Sequence, residues 1–395
     1  MFVRETTAVN NSEEVRASPP PLDTEPPPPV ANFGATRLAL RTMLVIFLLF
    51  VTLGATTQLL NTAVGIWFTE VFVFLGVAWV RVRTSGRDPV QYAGLALPSW
   101  RTAGFGFLLG AVNFFALVIP IQFVAQSIAP ASWRDQFDMT NLFKNQTPIE
   151  LAAIVSGVVL AAPFCEEFVF RGVLQRGLMP PTMSSRNAVV VAAIIFSAFH
   201  LDPIGFAARL ELGLVFGLLF MRTGSLWPGA AAHSANNLIS TILFFMLRGG
   251  QVDETEPNWR AVLSIAVLGS VVLVGLIGLV RKDPSLLPPH TLRASPLQER
   301  PVSWAAAARP WIIGALALLG SFALLDRRGL MLGWYDFEYH LAPLGRSATE
   351  QERIQREKLE ALRKDARAGK VPLESYRILR EELFRESRRS GRDSG

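Results

Sequence analysis

The chain is constrained most by a series of apolar runs, each about as long as a bilayer is thick. Crossing the hydrocarbon core takes roughly 20 residues of helix. Runs of that order lie at about Thr42–Leu60, Thr62–Val80, Ala103–Ala129, Ile149–Met179, Leu226–Leu247, Trp259–Val280 and Trp304–Leu325, with shorter ones at Asn187–His200 and Phe206–Met221. Half of the 395 residues are hydrophobic, too many for a soluble enzyme with this spacing. Helices in lipid must satisfy their own backbone hydrogen bonds. The expected fold is therefore all-α: a polytopic transmembrane bundle of eight or nine spans.

Charge sets the orientation. The net charge of +6 comes from arginines at the ends of the runs and in the tail, which points to a membrane and not to nucleic acid. Basic loops stay cytoplasmic, so Arg81, Arg83, Arg87, Arg101, Arg176, Arg186 and the 281–300 loop place the N-terminus inside. The acidic run Asp253-Glu254-Thr255-Glu256 then falls outside. The first eight spans agree with this, but a ninth would carry the charged C-terminus outside. Either that segment is re-entrant or one span is misread.

The divisions follow composition. Residues 1–35 hold SPPPLDTEPPPP and read as a disordered Pro-rich tail without a signal-peptide pattern. Residues 36–148 hold the N-terminal spans, 149–250 the most polar helices, 251–325 the last spans and 326–395 a charged soluble tail. Within that tail, about 349–386 reads as two amphipathic helices around an Ala-Gly-Lys turn, similar to a hairpin of the SHOCT type. The single cysteine, Cys165, precludes an intrachain disulfide and reads as a small buried thiol.

The chemistry gathers at LAAPFCEEFVFRGVLQRGLM, residues 160–179. Two adjacent carboxylates, Glu166 and Glu167, sit in an apolar run. Charges in a membrane segment are rare and mark function by default. Glu167 and Arg171 are four apart and share a helix face, so they read as an ion pair. Glu166 is turned by about 100° and is left free. Pro163 is placed to kink the helix just before them. Phe196 and His200 share a face on the next run, as do His233 and Asn237 on a later one. Glu70, midway along the second run, reads as a structural polar contact of unknown partner.

By type, Glu166 can act as general base for water, with His200 sharing that water or protonating a leaving amine. His233 and Asn237 can donate to one developing oxyanion. The same two histidines and glutamate also admit a catalytic zinc with an open position. Asn237 favours the metal-free form, being a poor zinc ligand and a good donor, but no metal is assigned.

Glu166-Glu167-x-x-x-Arg171, Phe196-x-x-x-His200 and His233-x-x-x-Asn237 resemble, in order, the three motifs of the CPBP family of CAAX prenyl proteases and bacteriocin-processing proteins. The likeness spans about residues 85–250. It implies an intramembrane endopeptidase in which Glu166 and His200 activate water, His233 and Asn237 hold the oxyanion, and Glu167, Arg171 and Phe196 support the site. It further implies a membrane-embedded or membrane-tethered peptide substrate in the plasma membrane of a bacterium. Two other readings are a non-catalytic relative in bacteriocin immunity or scaffolding, and a transporter. The intact triplet weighs against the first, and the lack of a repeated hydropathy pattern against the second.

Overall fold

The computed structural model describes residues 34–96, 99–130, 140–143, 146–249, 258–290, 302–336 and 350–390, with Trp133, Arg134 and Phe137. Residues 1–33 of the Pro-rich segment, the acidic run at 253–256 and residues 291–300 of the basic loop lie outside them.

Among the described residues there is no strand. The chain runs through α1 (Gly34–Leu60), α2 (Thr62–Thr84), a short α3 (Pro89–Ala93), α4 (Trp100–Ile128), α5 (Pro148–Leu178), α6 (Ser185–Phe199), α7 (Phe206–Thr223), α8 (Trp227–Gly249), α9 (Trp259–Lys282), α10 (Trp304–Leu325), α11 (Arg327–Tyr335), α12 (Glu350–Arg367) and α13 (Leu373–Ser390). Among the described residues, six helices are long and apolar enough to cross a membrane: α1, α2, α4, α5, α9 and α10. The other three of the nine apolar runs are shorter or more polar. The helix α6 is too short, α7 carries Arg209, Glu211 and Arg222, and α8 opens with His233, Asn236 and Asn237. These three bring polar side chains to the interior.

The centre of the bundle is α5. Every residue from Cys165 to Gln175 is buried, as expected for a helix surrounded by others. At the far extreme, only 6% of the apolar stretch of α9 and of α10 is buried, so Leu263, Val267, Leu268, Val271, Val274 and Leu316 present a surface suited to lipid. The first helix begins at Gly34, before the apolar run read from Thr42. Arg37 and Arg41 interrupt the hydropathy but not the helix, because both are exposed.

Two contacts set the ends of α5. At its C-terminal end, Thr36 Oγ1 of α1 donates to the Gly177 carbonyl at 2.8 Å. Nearby, the ring of Tyr92 carries the guanidinium groups of Arg87 and Arg176 at 5.5 and 5.4 Å. At its N-terminal end, Thr147 and Glu150 form a capping box. Glu150 also accepts from Asn61 Nδ2 at 2.9 Å and pairs with Arg367 of α12.

The helices α12 and α13 pack on each other across a turn at Gly369, whose φ of +82° is a conformation natural to glycine. The pair is pinned on Asp336, which is 1% exposed. Tyr376 Oη lies 2.8 Å from both Asp336 oxygens, and Arg380 Nε donates at 2.9 Å. Burial and the Asp336 charge push the Tyr376 hydroxyl well above its usual range, so it stays a donor.

Close approach of α4 and α8 sets the depth of the second histidine. A Cβ at Gly106 would lie 2.4 Å from the Pro228 oxygen, and one at Gly110 2.3 Å from the Ala232 oxygen. Small residues at four-residue spacing let two backbones meet in this way. His233 follows Ala232 directly.

Candidate active site

Five segments of the bundle are wound in the wide π register: Phe50–Gly54, Phe68–Gly76, Phe114–Val118, Gly157–Ala161 and Phe168–Gln175. Such segments turn side chains away from their α-helical faces and cluster at functional sites. Glu70 lies inside one, and Glu166 and Glu167 lie between two others.

Pro163 is the local cause of one irregularity. It has no N–H, so in the π register the Val158 carbonyl five residues earlier loses its partner. Asn237 Nδ2 of α8 supplies one, donating to Val158 O at 2.9 Å. Asn237 Oδ1 accepts in turn from Asn236 Nδ2 at 3.1 Å. The proline and the asparagine are therefore two halves of one joint between α5 and α8.

Glu167 and Arg171 form the expected pair. Arg171 Nη1 donates to Glu167 Oε1 at 2.7 Å, with both side chains at most 1% exposed. Arg171 Nη2 donates to Gly213 O of α7 at 3.0 Å, and its guanidinium lies 4.6 Å from the Phe196 ring centre and 5.3 Å from that of Phe216. The pair thus ties α5 to α6 and α7. Phe196, expected to support the site, has its ring near the cation and near both imidazoles. Its ring centre is 5.1 Å from that of His200 and 5.8 Å from that of His233.

His233 stands between the two carboxylates. Its Nδ1 is 3.4 Å from Glu167 Oε1, and its Nε2 is 3.9 Å from Glu166 Oε2. Phe216 stacks on the ring at 4.8 Å and 21°. Neither distance with its angle makes a direct hydrogen bond, and Glu166 Oε2, Glu167 Oε2, His233 Nδ1 and Asn236 Oδ1 are all buried without a protein partner. Buried polar atoms are nearly always satisfied, and exceptions concentrate at sites that bind or react. Glu167 therefore does more than brace Arg171; it also faces the imidazole.

His200 follows the last residue of α6. Its Nδ1 lies 3.0 Å from Phe196 O. A carbonyl only accepts, so Nδ1 carries a proton and Nε2 of the neutral ring presents a lone pair. Unlike His233, the side chain is exposed on the protein surface. The next residue, Leu201, has φ +52°, a strained value for a leucine. Asp202 holds this turn by accepting from Ile204 N at 2.9 Å and pairing with Arg209.

Two polar features of the interior were not singled out in the sequence. Asn113 of α4 donates to Glu211 of α7 at 3.0 Å. Asn236 is buried beside Asn237. The presence of Glu211 in an apolar run was a usable signal; a stacking role for Phe216 among many phenylalanines had none. Among the described residues, no three His, Cys, Asp or Glu side chains are grouped so as to hold a metal ion.

No curated protein and no solved structure matches the chain. One family model does, over residues 148–239, a stretch that begins with α5 and ends in α8, two residues beyond Asn237. Its description is type II CAAX prenyl endopeptidase Rce1-like, and with it the helical membrane bundle bears all three motifs on the segment that the model matches. Residues 148–239 thus match an Rce1-like domain of type II CAAX prenyl endopeptidases, in line with the CPBP motifs that this segment carries.

Proposed function

We propose that the chain is a working endopeptidase that hydrolyses a peptide bond of a membrane-embedded or membrane-tethered substrate, with water activated at Glu166. The observation that carries this is the buried Glu166 carboxylate, which has an oxygen without a donor 3.9 Å from His233 Nε2. That separation admits one water or one substrate oxygen between the two, the geometry general acid–base chemistry needs.

The roles follow from the atoms. Glu166 takes the proton of water as its oxygen attacks the scissile carbonyl. His200, with Nδ1–H committed to Phe196 O, offers Nε2 to the same water or shuttles its proton to the leaving amine. His233 Nε2–H donates to the developing oxyanion. Asn237 has a second N–H beyond the one given to Val158 O, and this is its donor to the same oxygen. Glu167 and Arg171 fix the ring and the helices around it. Glu166 lies twelve residues from Leu178, the end of α5 near Arg87 and Arg176, or about 18 Å at 1.5 Å per residue. Basic clusters face the cytoplasm, and about 18 Å from that end is near the middle of a core about 30 Å thick, which supports cleavage deep within the membrane.

The test is cleavage of a peptide library by the purified full chain, with prenylated and unprenylated members tethered to lipid. Wild type is expected to cut a subset, and Glu166→Gln to lose about 10²-fold or more while remaining folded. Equal cutting by both proteins overturns the assignment.

A further inference from the structure

We propose that Asp202 and Arg209 are positioning residues for His200: together they hold the strained turn after α6, so that the ring keeps Nδ1 on the Phe196 carbonyl and Nε2 free for the reaction. Only the kinetic consequence rests on the hydrolase reading. The geometry of the turn belongs to the folded protein alone.

His200 caps the end of α6 and is exposed, so packing does little to hold it. Its Nδ1 lies 3.0 Å from Phe196 O, a carbonyl of its own helix. The backbone beneath the ring is fixed by the turn that follows. Leu201 N donates to Ala198 O at 3.1 Å, and the residue adopts φ +52°. Helices commonly end on a left-handed residue, but that residue is usually glycine. A leucine there is strained and stays only where its surroundings enforce it. The side chain of Leu201 is 59% exposed, so its own packing is not the restraint.

Asp202 supplies that restraint. Its Oδ1 accepts from Ile204 N at 2.9 Å and from Gly205 N at 3.2 Å, and its Oδ2 pairs with Arg209 Nη2. Arg209 Nη2 also donates to the Asp202 carbonyl at 3.0 Å. One guanidinium therefore holds both the side chain and the backbone of the residue next to Leu201. A Cβ on Gly205 would lie 2.4 Å from both terminal nitrogens of Arg209, so the guanidinium rests against bare backbone. The frame around the turn is fixed as well. Ser197 Oγ donates to Phe206 O at 2.7 Å, and a Cβ on Gly213 would lie 2.9 Å from Ala193 Cα. With α6 and α7 held in register, Asp202 and Arg209 close the turn between them and set where α6 delivers its terminal histidine. Both act through His200 and not on the substrate.

The full chain in nanodiscs, isotope-labelled at the histidine ring nitrogens, is compared by NMR and by turnover as wild type, Asp202→Ala and Asp202→Asn, with His200→Gln to assign the signal. The expected wild-type signal of His200 is that of the Nδ1–H tautomer. Asp202→Ala loses every bond of the carboxylate. It should shift the signal toward the Nε2–H tautomer and lower kcat by about 10- to 10²-fold with KM within about twofold, the cost of a misplaced group. Asp202→Asn can still accept from Ile204 and Gly205, and it should keep the tautomer and hold kcat within about threefold. Leu201→Gly added to Asp202→Ala should restore most of both, because glycine takes the left-handed conformation unaided. An unmoved tautomer in Asp202→Ala, a loss borne by KM alone, or no recovery in the double variant overturns the proposal. If Asp202→Ala is not recovered folded, Asp202→Glu decides the question. Its longer carboxylate keeps the charge opposite Arg209 but not the bonds to Ile204 and Gly205, and an unchanged tautomer and kcat refute the proposal. If Glu166→Gln cleaves as well as wild type, the hydrolase reading fails, and the tautomer result still stands or falls on its own.

Discussion

Glu167→Gln isolates the buried ion pair. The substitution leaves the Arg171 guanidinium, 0% exposed, with a neutral amide in place of a carboxylate 2.7 Å away, the Gly213 carbonyl at 3.0 Å and two ring faces. Removing one partner of a buried pair destabilises by about 3–5 kcal/mol. The remaining amide acceptor and the rings, at about 0.5–2 kcal/mol per face, move the expected loss toward the lower end, about 3 kcal/mol. That is a large share of a total stability of about 5–15 kcal/mol. Arg171→Met should lose a similar amount, because it strands Glu167 and vacates Gly213 O. The double variant removes both charges together, and such replacements are often near neutral. The losses should therefore not add, and the coupling should approach the upper end of about 0.5–3 kcal/mol seen for contacting residues. Denaturant unfolding of the four proteins in mixed micelles, followed by tryptophan fluorescence, measures the cycle. Additive losses would refute the pair as the organiser of α5, α6 and α7. So would a Glu167→Gln protein as stable as Glu166→Gln.

Asn237→Ala should lower both stability and rate. It orphans the Val158 carbonyl, at about 1–3 kcal/mol, and removes an oxyanion donor, at about 10²–10³ in kcat; a variant with unchanged kcat would exclude the donor role. Activity should survive exhaustive chelation, measured by elemental analysis beside turnover, and loss reversed by about one zinc per chain would establish an open three-ligand site instead. Tyr376→Phe should loosen the hairpin by about 1.5–3 kcal/mol, the range for hydrogen bonds to charged groups, read as faster hydrogen exchange in α13. The folded-state value of Tyr376 is raised, so its contribution is whole at and below neutral pH. That contribution fades only above the unfolded value of about 10, and exchange in the wild type should stay slow until then.

Short-range geometry was legible in the sequence. The four-residue spacing of Glu167 with Arg171 gave a real ion pair, and that of Phe196 with His200 gave a backbone contact at 3.0 Å. The lengths of the apolar runs gave an all-helical bundle. Three things were not legible, each because it depends on how helices far apart in sequence register. Asn237 answers a defect that Pro163 makes 74 positions earlier, and no local pattern links the two. His233 stands between two carboxylates because Gly110 lets α8 approach α4, so Glu167 faces a ring as well as an arginine. Glu70 is carried on a π-wound segment packed against α5, and no periodicity announces such a turn.

Thr36 and Arg367 hold opposite ends of α5, the first at Gly177 and the second at Glu150. If α5 crosses the bilayer, the start of α1 and the C-terminal hairpin lie on opposite faces of the membrane. Parity then demands an odd number of crossings between them, so the six candidate helices are not, as a set, the crossings. If the N-terminus is cytoplasmic, the clamp on Asp336 would be built outside, and its strength would answer to the external medium and not to the cytosol. A tag fused after residue 395 should be reached by an impermeant label in intact cells, whereas a tag before Met1 should not.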